Sequence, residues 1–182
     1  MHLAVHILKK SYGWNDGDEI ITTPITFVST NHTILYERLQ PIFTDVDQYL
    51  CLDPEDVKNK ITKKTRAVMY VGIGGNAGQL DSIVEVCKEN NLKLILDAAH
   101  MAGTKYNDKH VGSEADVSVF SFQAVKNLPT ADAGMICFKD EELDSWARKL
   151  SWLGISKDTY SRFNKNEGSY KWRYDVPDVG FK

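Results

Sequence analysis

Apolar residues recur along this chain in two alternating rhythms. Leu3, Ile7 and Leu8 stand at helical spacing and Gly13 supplies a stop, so the first residues predict a helix. A turn at Asp16-Gly17-Asp18 leads into Glu19-Ile20-Ile21-Thr22, a short buried strand. Thr26 to Glu37 predicts a helix entered just after Pro24, and Pro41 opens an extended segment, Ile42-Phe43-Thr44-Asp45-Val46. Asp53-Pro54-Glu55-Asp56 is a helix start. Asp53 can cap, Pro54 fits the first turn, and the acids suit the positive helix end. Ala67 to Val71 then reads as a strand, Gly72 to Gly78 as a glycine-rich turn, and Leu80, Ile83, Val84 and Cys87 as one face of a helix. Leu92 to Leu96 is a further apolar strand ending at Asp97, and Val117 to Phe122 and Gly134 to Phe138 are two more. Leu143, Trp146 and Leu150 mark a helix after the acidic start at Asp140-Glu141-Glu142.

Strands and helices therefore alternate, and most strands are apolar throughout. That is the pattern of an α/β domain whose sheet is covered on both faces. At 182 residues, 42% of them hydrophobic, the chain can bury one domain's core. The net charge of −3 gives no electrostatic footprint for nucleic acid and no basic patch for a membrane surface. Cys51, Cys87 and Cys137 are odd in number and far apart, which disfavours a disulfide framework or a zinc site. The opening MHLAVHILKK lacks the layout of a secretory signal, and no apolar run is long enough to span a bilayer. A soluble cytoplasmic protein is the expectation. His2 and His6 are four residues apart on a helix, but no third ligand is evident, so no metal is expected. The abrupt ends, a helix from residue 1 and the aromatic stretch SYKWRYDVPDVGFK, suit a piece of a longer protein. Tyr160, Arg162, Phe163, Lys165, Tyr170, Lys171, Trp172, Arg173 and Tyr174 mix bases with aromatics, as single-strand binders do. A packed or partner-facing loop is preferred there because the chain as a whole is not basic.

Ligands of open α/β sheets bind at the carboxyl ends of strands. Three such ends carry candidate groups. Asp97 is followed by Ala98, Ala99 and His100, and Ser121 is closely followed by Lys126 and Asn127. The third end is the glycine turn after Val71. Taken alone, Asp97 is equally a cap for the next turn, and His100 is more often structural. Lys126 has mainly apolar sequence neighbours, and a dry setting favours the uncharged amine that attacks an aldehyde. Gly72-Ile73-Gly74-Gly75-Asn76-Ala77 also fits G-x-G-x-x-A after a strand, with Asp97 ending the next one. A NAD-dependent oxidoreductase using Gly72, Gly74 and Asp97 is the competing reading. The helical pattern begins late for that turn, and the reading leaves Lys126 and Ser121 without a task.

Several segments together resemble the DegT/DnrJ/EryC1/StrS aminotransferases, which act on sugar nucleotides. They include Gly17 to Pro24 with Thr26-Phe27-Val28-Ser29-Thr30, then Pro41 to Asp47 and Ile61 to Ala67. The most specific are Leu96-Asp97-Ala98-Ala99-His100 and Phe120-Ser121-Phe122-Gln123-Ala124-Val125-Lys126-Asn127. Of its branches, the one that makes 4-amino-4-deoxy-L-arabinose nucleotides looks most similar. One departure is the single Gly134 before Met135, where the family shows two adjacent glycines.

The resemblance implies a three-layer fold with a mostly parallel sheet and helices on both faces, the aspartate aminotransferase-like large domain of fold type I transferases. It implies a cofactor-binding domain over residues 1–155 and a connection, 156–182, toward a small C-terminal domain. It implies pyridoxal 5'-phosphate as cofactor, with Lys126 as its Schiff-base lysine and Asp97 as the partner of its pyridine nitrogen. His100, catalytic with these two, would stand beside the ring or its phenolic oxygen, Ser121 on the phosphate and Phe27 over the ring face, and Ala98 and Asn127 belong to the same cofactor-binding set. The implied partners are a 4-keto nucleotide sugar, an amino-acid donor such as glutamate, and a second subunit sharing the active sites of a homodimer. The implied setting is the synthesis of cell-surface polysaccharide or lipopolysaccharide sugars. The family's phosphate-binding threonine motif precedes the first helix and is not in this sequence. A non-catalytic piece retaining the fold is therefore the third expectation.

Overall fold

The computed structural model describes residues 1–155, 163–164, 169–170 and 175–181. These fall into two compact units, Met1–Asp140 and Glu141–Lys182.

The first unit is built on a six-stranded sheet. Helix α1 (His2–Tyr12) ends where Gly13 turns left-handed at φ 64, ψ 37. Strand β1 (Glu19–Thr22) follows, then α2 (Val28–Tyr36), β2 (Gln40–Phe43), α3 (Pro54–Lys60), β3 (Thr65–Val71), α4 (Leu80–Glu89) and β4 (Lys93–Asp97). A small antiparallel pair, β5 (Lys105–Tyr106) and β6 (Lys109–His110), precedes β7 (Val117–Ser121) and β8 (Gly134–Phe138). The sheet order is β2-β1-β3-β4-β7-β8. Every pairing is parallel except β7 with β8. This is the layered α/β fold with a mostly parallel sheet that the sequence predicts.

The central strands are apolar on both faces because both faces are covered. Ile21, Val68, Tyr70, Leu94 and Leu96 pack with Val57, Leu80, Ile83, Val86 and Cys87 of α3 and α4 in one core cluster. Ile20, Met69 and Ile95 alternate with them toward the opposite face and are equally inaccessible. The buried side chains of α1 and α2, Ala4, Val5, Ile7, Leu8 and Ile34, belong to helices that pack on each other. Each such aliphatic side chain contributes roughly 1.5–3 kcal/mol by leaving water. Burial drives Cys87 up to about 12 and raises Cys51 as well, which makes both thiols poor nucleophiles.

Two boundaries differ from expectation. Helix α2 begins at Val28 rather than Thr26. The Thr23 hydroxyl accepts from Ile25 N at 3.0 Å and Thr26 N donates to Pro24 O, so residues 23–26 form a turn. Phe27, extended at φ −67, ψ 137, is the residue at which the helix starts. Strand β2 begins at Gln40 and stops at Phe43, short of Val46. Asp45 N donates to Asp56 Oδ2 of α3, and Val46 bridges Leu52, which carries the chain off the sheet. Pro41 sits within β2, which is an edge strand and can tolerate the lost donor. The start of α3 is as predicted: Glu55 N donates to Asp53 Oδ1 at 2.9 Å with Pro54 in the first turn.

In the second unit, α5 (Glu141–Leu150) carries acids in its first turn and Arg148 and Lys149 in its last. Its chain returns so that Phe181 N donates to Leu150 O and Leu153 N to Phe181 O. Gly154 is left-handed and lies so close to Asp178 that no side chain fits there. Two short antiparallel strands, β9 (Phe163–Asn164) and β10 (Ser169–Tyr170), complete it. The side chains of the basic-aromatic tail, Tyr160 to Tyr174, lie outside the described residues. No helix among the described residues is long and apolar enough to cross a membrane.

Candidate active site

Strands β3, β4 and β7 run parallel and adjacent, with Val71 opposite Asp97 and Asp97 opposite Val119. Their carboxyl ends therefore open at one level, and a cavity of about 1020 Å³ lies there. Asp97, His100, Ser121, Lys126 and Phe27 all line it, and much of the rest of its wall is apolar. Asp97 is 8% exposed. Its Oδ2 accepts from Thr30 Oγ1 at 2.7 Å and its Oδ1 from Ala99 N at 3.1 Å. Thr30 in turn shares a hydrogen bond with Thr26 Oγ1 at 2.9 Å. Both donors to the carboxylate are neutral, and no side-chain cation pairs with it among the described residues.

Lys126 sits on the loop between β7 and β8. The base of that loop is closed by Phe122 N to Ala133 O, and its turn by Lys126 N to Gln123 O. Its amine lies 3.1 Å from His100 Nε2. Of the apolar chain neighbours of Lys126, Val125 lies on the cavity wall although it is 80% exposed, and Leu128 is 56% exposed. The cover over the half-buried lysine comes from the cavity and His100. Ser121 Oγ is directed at the next turn, accepting from Gln123 N at 3.4 Å. Phe27 is 74% exposed at the cavity wall.

Two candidates stand apart from this group. Ala98 is fully buried in the core cluster. Asn127 is exposed, and its Nδ2 donates to Ala102 O. Neither lines the cavity. Conversely, Thr30 ends the family-like segment Thr26 to Thr30, but the sequence gives it no role. It is the third residue of α2, 67 residues from Asp97, and only the packing of that helix by the end of β4 brings the two together. His2 and His6 do converge, both on Glu37 Oε1, at 2.8 and 3.0 Å. No group of three or more His, Cys, Asp or Glu residues among the described ones is arranged to hold a metal.

The glycine turn does not have the form of a dinucleotide cradle. Gly72 N donates to Asp97 O, Gly75 N to Gly72 O, Asn76 N to Ile73 O and Gly78 N to Asn76 Oδ1. Gly74 N donates to His100 Nδ1. Those amides are spent, and α4 starts only at Leu80. A pyrophosphate needs amides that are unspent and a helix start at the turn itself.

The sequence profile of the DegT/DnrJ/EryC1/StrS aminotransferases matches residues 2–179. The chain belongs to that family. It is 39% identical over 180 residues to the spore coat polysaccharide biosynthesis protein SpsC of Bacillus subtilis, covering 98% of this chain and 46% of SpsC. Among solved structures, it superposes on PseC of Helicobacter pylori, an aminotransferase involved in the biosynthesis of pseudoaminic acid. The TM-score is 0.84 and the identity 28%, over 98% of this chain and 46% of PseC. NtdA of Bacillus subtilis, solved with bound cofactor PMP, matches with a TM-score of 0.79 and 27% identity, over 99% of this chain and 38% of NtdA. The chain spans about half the length of the curated relatives it matches. Against this family background, Lys126 and Asp97 are a lysine and a carboxylate on one cavity of an aminotransferase domain.

Proposed function

We propose that the protein transfers an amino group from an amino acid, glutamate in particular, to a 4-keto sugar carried on a nucleotide, with pyridoxal 5'-phosphate as cofactor. It works in the cytoplasm as a homodimer, supplying amino sugars for cell-surface polysaccharide or lipopolysaccharide. Residues 1–155 hold the cofactor, and residues 156–182 lead toward a smaller domain.

The observation that carries this reading is the buried Asp97 carboxylate, held by neutral donors only, facing a cavity that also receives the Lys126 amine. A buried carboxylate hydrogen-bonded only to neutral donors favours a cationic group beside it. The Met1 ammonium lends it some positive charge, and a protonated pyridine nitrogen would supply a direct partner. The cavity is at the upper end of the usual roughly 300–1,000 Å³ for ligand sites, so it has room for a cofactor and a sugar together.

When bound, pyridoxal phosphate supplies an aldehyde carbon and a cationic ring that withdraws electrons. Lys126 Nζ is the amine that would attach it and afterwards carry a proton to or from the substrate carbon. Asp97 would hold the ring nitrogen, and its negative charge keeps a proton there. Phe27 would cover one ring face and exclude water. Ser121 would face the phosphate, and His100 would orient the lysine. Ala98 serves from within the core, by seating Asp97 and His100 on either side of it. Asn127 serves by anchoring the lysine loop to Ala102.

The test is chemical. The protein is loaded with pyridoxal phosphate, reduced with borohydride and digested. The expected result is a cofactor-modified peptide containing Lys126, absent in Lys126→Ala. A modified peptide at another lysine, or one that persists in the variant, rejects the assignment. Formation of 2-oxoglutarate from glutamate with a 4-keto nucleotide sugar tests the substrates.

A further inference from the structure

The glycine turn is a sequence motif to which the proposed reaction gives no task, and the structure offers one. Gly72, Gly74 and Gly75 each press on the segment that follows Asp97. Gly72 N donates to Asp97 O at 3.1 Å, and a side chain at 72 would collide with Met101. A Cβ at Gly75 would lie 3.0 Å from His100 O, and Thr104 Oγ1 donates to Gly75 O at 3.0 Å. Between them Gly74, left-handed at φ 60, ψ 14, aims its N–H at His100 Nδ1, 3.2 Å away.

That contact fixes where the imidazole proton goes. A backbone amide nitrogen only donates, so Nδ1 must accept and carries no proton. In the neutral ring the proton is then on Nε2. Nε2 is the atom 3.1 Å from Lys126 Nζ. An Nε2–H needs an acceptor opposite it. An ammonium group has three donors and no acceptor, whereas an amine has a lone pair. Both hydrogen bonds of His100 can be made together only when Lys126 presents that lone pair.

We propose that the Gly72–Gly78 turn is a positioning device. Through Gly74 N–H it sets the His100 tautomer, so that Nε2–H faces Lys126 and the lysine is held as an acceptor, the form that attacks a carbonyl. Gly74 and His100 are positioning residues; the reacting atom is Nζ. The inference rests on the proposed function for the use of that amine, but not for the tautomer.

The experiment uses the protein freed of cofactor, with histidine labelled by nitrogen-15. The five histidines are resolved, and His100 is assigned by the signal lost in His100→Asn. The expected result is a protonated Nε2 and an unprotonated Nδ1, in wild type and equally in Lys126→Met. The second protein isolates the turn, since a thioether in place of the amine offers His100 no comparable partner and the loop is exposed. An Nδ1–H form, or a mixture, in either protein overturns the inference. A companion readout is the rate at which Lys126 is methylated by formaldehyde and borohydride. In His100→Asn it should fall at least several-fold relative to exposed Lys109, and an unchanged ratio counts equally against the proposal. Neither readout involves pyridoxal phosphate, so failure of the proposed function leaves them intact, and their failure leaves cofactor attachment at Lys126 untouched.

Discussion

The two sides of the cavity are built by opposite means. On the α2–β4 side, Asp97 ends a strand that is buried almost throughout and is fixed by Thr30 and a backbone amide. On the β7–β8 side, Lys126 stands on a loop that is largely exposed beyond Phe122, and a single side-chain contact, to His100, holds its amine. The carboxylate is placed by the core, and the amine is placed by a neighbour. Substitutions near Asp97 should therefore cost stability as well as function, while substitutions around Lys126 should cost function alone.

The largest effect expected is from Lys126→Ala. Loss of the amine should lower transfer by at least about 10⁴-fold, the upper range for a positioned proton-transfer group. The midpoint of thermal unfolding in the cofactor-free protein should hardly move, because the side chain stands on a loop and is only half-buried. A large drop in that midpoint would erase the contrast between the two sides. Asp97→Asn is nearly isosteric and removes the charge. It should slow transfer by about 10²–10³-fold, as removing one preorganised electrostatic partner does elsewhere. Steady-state rates at saturating substrates check this.

Thr30→Val sharpens the contrast from the buried side. The variant keeps the shape and leaves Asp97 Oδ2 without its closest donor, at a cost of about 1–3 kcal/mol read by urea unfolding. Thr30→Ser should recover most of the loss. Equal stability of Thr30→Val and wild type would mean that the hydroxyl does not support the carboxylate. A remote pair provides the calibration. The Arg66 guanidinium, 2.8 Å from Asp18, holds that carboxyl below its ordinary range, against the opposing effect of burial. A carboxyl so depressed stabilises fully above its unfolded value, about 3.9, and the stabilisation is lost as pH falls through the folded value. Arg66→Met should therefore unfold more easily at neutral pH, by about 1 kcal/mol for a partly exposed partner. The two proteins should converge as the pH falls from about 3.9 through the lower folded value of Asp18, and a gap that persists below that folded value assigns the effect to packing. The smallest change belongs to Val125→Ser, beside the lysine but exposed. It should stay within about 0.5 kcal/mol in stability.

The same division explains what the sequence alone could tell. The strands of the core, such as Ala67 to Val71 and Leu92 to Asp97, carry their burial in their composition. The start of α3 carries its cap in the Asp53-Pro54 pair. All of these are local. The β5–β6 pair is not: its strands are two residues each, and Gly103 N to His110 Nε2 and Asp81 N to Tyr106 Oη tie it down. Asp97 and Lys126 were legible as a pair through motif resemblance. Their surroundings were not. Thr30 reaches Asp97 from 67 positions away in the chain, Gly74 reaches His100 from 26, and no spacing rule carries such contacts. Chain proximity alone does not say which way the neighbours of Lys126 face: Val125 lies on the cavity wall yet is 80% exposed.

The most direct test of the central claim is an electron-density map of the protein grown with pyridoxal phosphate. The account predicts a planar ring continuous with the Lys126 side chain, its ring nitrogen at hydrogen-bond distance from the Asp97 carboxylate. A ring joined to another lysine, or one whose nitrogen faces any group but Asp97, would contradict it.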